Sequence, residues 1–238
     1  SKVAYKKATL YEDDHSEYLC RYGEGLPKNK NKEIESQKGA DALSYMRMNL
    51  IKLVKEVELL FIKKDPEAIE RHSNYKDINN LKIQDIKMKE IKMLIDRFDP
   101  NNISESTPSD KYTSYSVNKG EKIIFCIREK INGVKPHEII EPNTLMFVAI
   151  HELAHVMTIS IGHEPDFWNN MRFLLAIAIN TPSHDKYNKN YIFYKENLNK
   201  NIKTIYQYED YQDNPKPYCG TNITTTPCKN NKCAIEKN

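Results

Sequence analysis

The segment Pro142-Asn143-Thr144-Leu145-Met146-Phe147-Val148-Ala149-Ile150-His151-Glu152-Leu153-Ala154-His155-Val156-Met157-Thr158-Ile159-Ser160-Ile161-Gly162-His163 decides how the chain reads. Its mostly apolar run from Leu145 to Ile161 is broken by His151, Glu152 and His155. That run is too short and too polar to span a membrane, so it reads as a buried helix that carries chemistry. Pro142-Asn143-Thr144 supplies N-cap and first-turn residues and Gly162 closes the far end, which predicts a helix from Leu145 to about Ser160. On that helix the i, i+4 spacing puts His151 and His155 on one face, one turn apart, where each can offer a nitrogen to one zinc ion (Zn2+). Glu152 stands next to the first of them, where its carboxylate can act as general base toward a metal-bound water.

A catalytic zinc needs a third protein ligand. Gly three residues and His six residues after the second His would give one known arrangement, but Thr158 and Ile161 hold those positions. An acid on the following helix would give another, yet Asn169 to Ile179 contains no Asp or Glu. His163 remains, directly behind Gly162, where a turn folds the chain back so that its imidazole faces the same metal.

Outward from this segment, Leu43, Met46, Leu50, Leu53, Val54, Val57, Leu60 and Phe61 recur at three- and four-residue steps. They predict an amphipathic helix from Ala40 to Phe61, stopped by Asp65-Pro66. A shorter helical pattern runs through Ile86, Ile91, Leu94, Ile95 and Phe98 to the turn at Asp99-Pro100. Alternation in Tyr112, Ser114, Ser116 and in Ile123, Phe125, Ile127, with Asn118-Lys119-Gly120 between, predicts a β-hairpin whose edge suits main-chain pairing with an extended peptide. Pro165 opens a further helix through Phe167, Trp168 and Leu174. Residues 1–37 read as a polar arm with little fixed structure, and residues 181–238 as an extended tail laid over a domain spanning 38–180.

Composition narrows the classes of function. With 36 Lys and Arg against 33 Asp and Glu, the net charge of +3 over 238 residues is too mild to call for a nucleic-acid or membrane-surface partner. Five scattered cysteines do not make a disulfide framework, so the core is expected to hold without staples. The first residues, Ser1-Lys2-Val3, form no signal peptide, and the lack of an initiator Met leaves room for an upstream membrane anchor.

His151-Glu152-Leu153-Ala154-His155 followed by Gly162-His163-Glu164-Pro165-Asp166-Phe167-Trp168 resembles the active-site signature of the WLM and SprT-like zinc metalloproteases. Val117 to Arg128 resembles the strand ahead of the active-site helix in the WLM branch. Asn143 to Ile150, Phe98 to Ser104 and Asn214 to Gly220 are similar to versions found in nucleocytoplasmic large DNA viruses. The resemblance implies an α+β minimal zincin fold, a small twisted sheet with an active-site helix and flanking helices. It also implies zinc at His151, His155 and His163, with Glu152 as general base. DNA–protein crosslink repair, the work of cellular relatives, is not carried over, because none of their DNA- or ubiquitin-binding appendages is present.

The tail holds two further candidates. Cys219, in Pro217-Tyr218-Cys219-Gly220, reads either as a thiolate that occupies the open zinc position and keeps the enzyme latent or as a small buried hydrophobe in a packed tail. Tyr218, with Tyr191 and Tyr194 behind it, is the tyrosine best placed to stabilise a transition state. Cys228 and Cys233 pair with each other or with Cys20, or stay free. The expected function is a viral zinc-dependent metallopeptidase acting on a protein or peptide by Glu-assisted attack of zinc-bound water, in the virion or the infected-cell cytoplasm. The alternative is a virion structural or scaffolding protein that associates with other virion proteins and retains a zinc site.

Overall fold

Helix α1, Lys32–Phe61, is the longest element of the α+β fold seen in a computed structural model, which describes residues 2–73, 85–110, 113–130, 135–191, 203–228 and 233. The Asn31 side chain caps it by accepting from the backbone N–H groups of Glu33 and Ile34, and Glu33 and Glu35 complement the positive end of the helix dipole. The helix therefore starts eight residues before the expected Ala40, inside the stretch read as a flexible arm. Its apolar stripe is buried as the periodicity requires. Among the described residues four more helices follow: α2, Pro66–Arg71; α3, Asp85–Arg97; α4, Pro142–Met157; and α5, Pro165–Asn180. Helix α4 packs against α1, α3 and α5 and is buried on nearly every side. Among the described residues no helix is long and apolar enough to cross a membrane.

The sheet beside α4 has three strands in the order β3 (Ile103–Glu105), β5 (Lys122–Phe125), β4 (Tyr115–Val117). Strand β3 runs parallel to β5, and β4 runs antiparallel to it with Ser116 opposite Ile123. The expected hairpin is thus β4–β5, although Tyr112 lies outside the described residues.

The N-terminal segment corrects the expectation of little fixed structure. Val3–Lys7 (β1) and Glu17–Arg21 (β2) form an antiparallel hairpin, and β2 packs beside β3. The segment docks because polar groups of α1 receive it: the Asp41 carboxylate accepts from the Thr9 N–H at 2.7 Å and the Leu10 N–H at 3.2 Å. Asp14 in turn accepts from the hydroxyls of Ser44 and Tyr18. Under the hairpin, Arg128 Nε sits 2.7 Å from Glu105 Oε1 and Arg128 Nη2 donates to the Glu35 carbonyl at 2.7 Å, while the Glu105 carboxylate accepts from the Arg21 N–H. Gly39 of α1 passes so close that an added Cβ would lie 2.8 Å from Arg128 Nη2.

The tail is also tied down. Tyr206 and Tyr211 are buried, with ring centroids 6.0 and 4.7 Å from Phe147 of α4, and Asn143 exchanges hydrogen bonds with the Gln207 backbone. Strands β6 (Lys216–Tyr218) and β7 (Thr221–Ile223) form a hairpin whose turn residues, Cys219 and Gly220, both have positive φ. Disulfides join Cys126 to Cys219 and Cys228 to Cys233, leaving Cys20 free and buried. The expected unstapled core is thereby corrected: Cys126 follows β5 directly, and the tail, distant in sequence, folds back to meet it.

Candidate metal centre

Helix α4 places His151 and His155 with ring centroids 5.0 Å apart on the face that meets the first turn of α5. The helix ends at Met157, where the Thr158 hydroxyl turns back to the Ala154 carbonyl at 2.7 Å. Gly162, at φ 86°, then reverses the chain. His163 arrives with its Nε2 3.1 Å from His151 Nε2 and 3.2 Å from His155 Nε2. The three donor atoms lie within 4.8 Å of one another, and this is a group of the kind that holds a metal ion.

These distances suit one shared cation. A tetrahedral zinc with Zn–N bonds of about 2.0–2.1 Å separates its nitrogens by about 3.4 Å. Hydrogen bonds alone serve the arrangement badly, since His163 Nε2 faces two ring nitrogens with a single proton or lone pair to offer. Burial pushes His151 down to about 3, helped by the neighbouring imidazoles of His155 and His163, and pushes His155 down to about 4, helped by His163 and the Lys119 ammonium. Both rings are therefore neutral at physiological pH, the form that binds a metal. Glu152, buried on the same helix, is pushed up to about 7 by desolvation.

Helix α5 backs the imidazoles with aromatic rings. Phe167, fully buried in its first turn, stacks on His155 with centroids 4.3 Å apart and lies 4.9 and 4.8 Å from His151 and His163. Trp168 sits 5.4 Å from His163. Away from Phe167 the imidazoles open into a cleft of about 700 Å³, which Trp168 also lines, within the range of small-molecule sites. Its walls are β4 and the turn after it on one side, and Tyr218 with Asn222 to Thr225 of the tail on the other.

The structure redefines both tail candidates. Cys219 is bonded to Cys126, so it has no thiolate to present to a metal, and the latency role expected of it is corrected. Tyr218 does line the cleft, but its hydroxyl donates to the Cys126 carbonyl at 2.8 Å and shares a hydrogen bond with Ser114. Burial raises its pKa, and its place in the structure is that of a wall anchor. Tyr191 packs on Tyr187, away from the cleft, and Tyr194 lies outside the described residues. Sequence reasoning missed Lys119, whose ammonium reaches the loop before His163; its one signal was a turn of Asn, Lys and Gly that demands left-handed backbone.

No family model matches the chain, and no solved structure does. It is 34% identical over 116 residues to an uncharacterized protein of Acanthamoeba polyphaga mimivirus, covering 49% of this chain and 46% of that protein. It is 43% identical over 67 residues to an uncharacterized protein of Invertebrate iridescent virus 3, with 28% and 38% covered. A third, from Invertebrate iridescent virus 6, is 33% identical over 73 residues, with 31% and 39% covered. These relatives are viral proteins. The chain spans less than half the length of each of them.

Proposed function

We propose that the chain is a zinc-dependent metallopeptidase of the WLM and SprT-like kind, encoded by a virus, that hydrolyses peptide bonds in a protein or peptide substrate. The observation that carries this reading is the convergence of His151, His155 and His163 Nε2 beside a buried Glu152 at the floor of an open cleft. Zinc, which the three imidazoles would hold, would supply a Lewis acid for the scissile carbonyl and lower the pKa of water. Glu152 takes the proton of the attacking water and hands it to the leaving amine. Phe167 excludes solvent behind the imidazoles, and Trp168 lines the cleft beside His163.

Strand β4 offers a place for the substrate backbone. The Thr113 carbonyl accepts from Cys126 N–H at 3.0 Å, so in this register residues 113, 115 and 117 bond toward β5. The main-chain groups of Ser114 and Ser116 then point to the opposite edge, and both residues line the cleft. An extended peptide adding there is held by backbone pairing. Three protein donors on an open cleft match the usual make-up of a catalytic zinc, whereas structural zinc sites are closed by four. The two disulfides favour action in the virion over a reducing cytoplasm.

The test is metal analysis and a casein-cleavage assay on the wild type and Glu152→Gln. About one zinc per chain, cleavage by the wild type and none by the variant support the reading. A protein without zinc, or a zinc protein as inert as Glu152→Gln, overturns it.

A further inference from the structure

The loop from Thr158 to His163 presents the third imidazole, yet little apolar burial holds it. Ile159 is 53% exposed and Ile161 is 87% exposed. A Cβ at Gly162 would meet nothing within 4 Å, and His163 itself is exposed. Polar ties must therefore fix the loop: Thr158 at its start is buried, its hydroxyl donating to the Ala154 carbonyl and accepting from Asn170 Nδ2 at 2.9 Å, and two more ties act on the stretch that follows. Ser160 Oγ donates to the Asp166 carboxylate at 2.7 Å, closing the loop against the first turn of α5. Lys119 Nζ donates to the Thr158 carbonyl at 2.9 Å and to the Ser160 carbonyl at 2.6 Å, reaching across from the β4–β5 turn.

The turn is built to make that reach. Asn118, Lys119 and Gly120 have φ of 49°, 55° and 108°, a run of left-handed backbone that lifts Lys119 clear of the sheet. Gly120 is pressed onto α4, where an added Cβ would lie 2.8 Å from Val156 Cγ2. The ammonium then passes the C-terminal end of α4, where the last carbonyls and the negative end of the helix dipole favour a cation.

We infer that Lys119 is a positioning residue for the metal site, clamping the 158–160 backbone so that His163 stays in register with His151 and His155. The inference rests on the zinc reading above. It carries a distinctive sign. Lys119 lines the same cleft as the imidazoles, so as a mere neighbouring charge it would repel a dication, and its removal would tighten zinc binding. As a clamp its removal weakens binding, in the way that loss of groups orienting metal ligands costs about 10- to 100-fold in affinity.

The experiment measures zinc affinity of the full chain by competition with a chromophoric chelator, for the wild type, Lys119→Met, Lys119→Arg, and Lys119→Met in a His163→Ala background. The expected result is about a tenfold or greater weakening for Lys119→Met, near wild-type affinity for Lys119→Arg, and no further weakening when His163 is already absent. Unchanged or tighter zinc binding by Lys119→Met overturns the inference, as does an equal loss with or without His163. Should Lys119→Met fail to fold, Lys119→Gln is measured in its place with the same expectations. If the wild type itself binds no zinc, the metal reading fails as well; if it binds and only these comparisons fail, the clamp alone is lost.

Discussion

Cys126, directly after β5, and Cys219, in the β6–β7 turn, are joined by a disulfide that bridges 93 positions of sequence and holds one wall of the cleft against the sheet. The neighbouring Tyr218 reinforces the joint through its hydroxyl on the Cys126 carbonyl. Replacing both cysteines by serine is expected to lower stability by about 2–4 kcal/mol, chiefly because the unfolded chain regains the freedom of a long loop. Denaturant melts measure this. Because the wall carries Asn222 to Thr225, KM for a long peptide should rise as well, with zinc content unchanged. A variant as stable as the wild type, with the same KM, would show the bond to be idle.

Metal removal should unfold the protein at a lower temperature. Zinc at a free concentration a hundred times its Kd stabilises the native state by about 2.7 kcal/mol, which corresponds to roughly 5–10 °C in Tm for a chain of this size. Chelation in a thermal scan reads the shift. His163→Ala should melt at the same temperature with and without chelator, since two imidazoles on one helix hold the ion poorly.

Glu152→Gln separates binding from chemistry. The amide keeps the volume of the carboxyl, and Glu152 is not one of the three clustered donors, so zinc should be retained. Peptidase turnover should fall by at least about a hundredfold, the lower end of what a general base contributes. Retained activity in this variant would assign the proton transfer elsewhere.

The pair Arg128 and Glu105 is buried without exposure on either side chain. Arg128→Met leaves the Glu105 carboxylate with Arg21 as its remaining cation and strips the Glu35 carbonyl of its donor, and is expected to cost up to about 3 kcal/mol. Adding Glu105→Gln should cost more still, because the buried Arg21 guanidinium, 3.5 Å from the carboxylate, then loses its counter-charge. Equal stabilities of the single and double variants, in urea melts, would contradict the coupling.

Asp14 gives a pH signature remote from the metal centre. Burial alone would raise its pKa, but the Ser44 and Tyr18 hydroxyls and the Ser16 N–H bond its ionised form and bring it below the usual carboxylate range. A lowered folded-state pKa adds stability above the unfolded value near 3.9, and this is lost as the pH falls through the lowered one. Asp14→Asn should therefore be less stable at neutral pH and lose less on acidification below about pH 4. Parallel acid-denaturation curves would rule the contribution out.

The helices were the most legible part of the sequence, because a 3.6-residue apolar period is a local property. The stripe from Leu43 to Phe61 sits where its spacing puts it, and Pro142 and Pro165 open α4 and α5. His151 and His155 follow from the same regularity, since i, i+4 on a helix leaves little freedom. His163 was readable because Gly162 allows the reversal that brings its ring within 3.2 Å of both.

The N-terminal hairpin was not legible. Its residues look like an arm because the groups that hold it, Asp41, Ser44 and the Arg128–Glu105 pair, lie on elements far along the chain.

By itself, then, the sequence determined the central turns of the four longer helices, the α+β class and three histidines at spacings that let them share a face, all set by steric rules that act within a turn or two. Only the tertiary structure decided that Cys219 meets Cys126, that Tyr218 anchors a wall, that Phe167 backs the imidazoles and that Lys119 reaches the His163 loop. Those pairings join residues many positions apart. Which partner each group finds depends on the packing of α4 between sheet, helices and tail, and no local pattern records it.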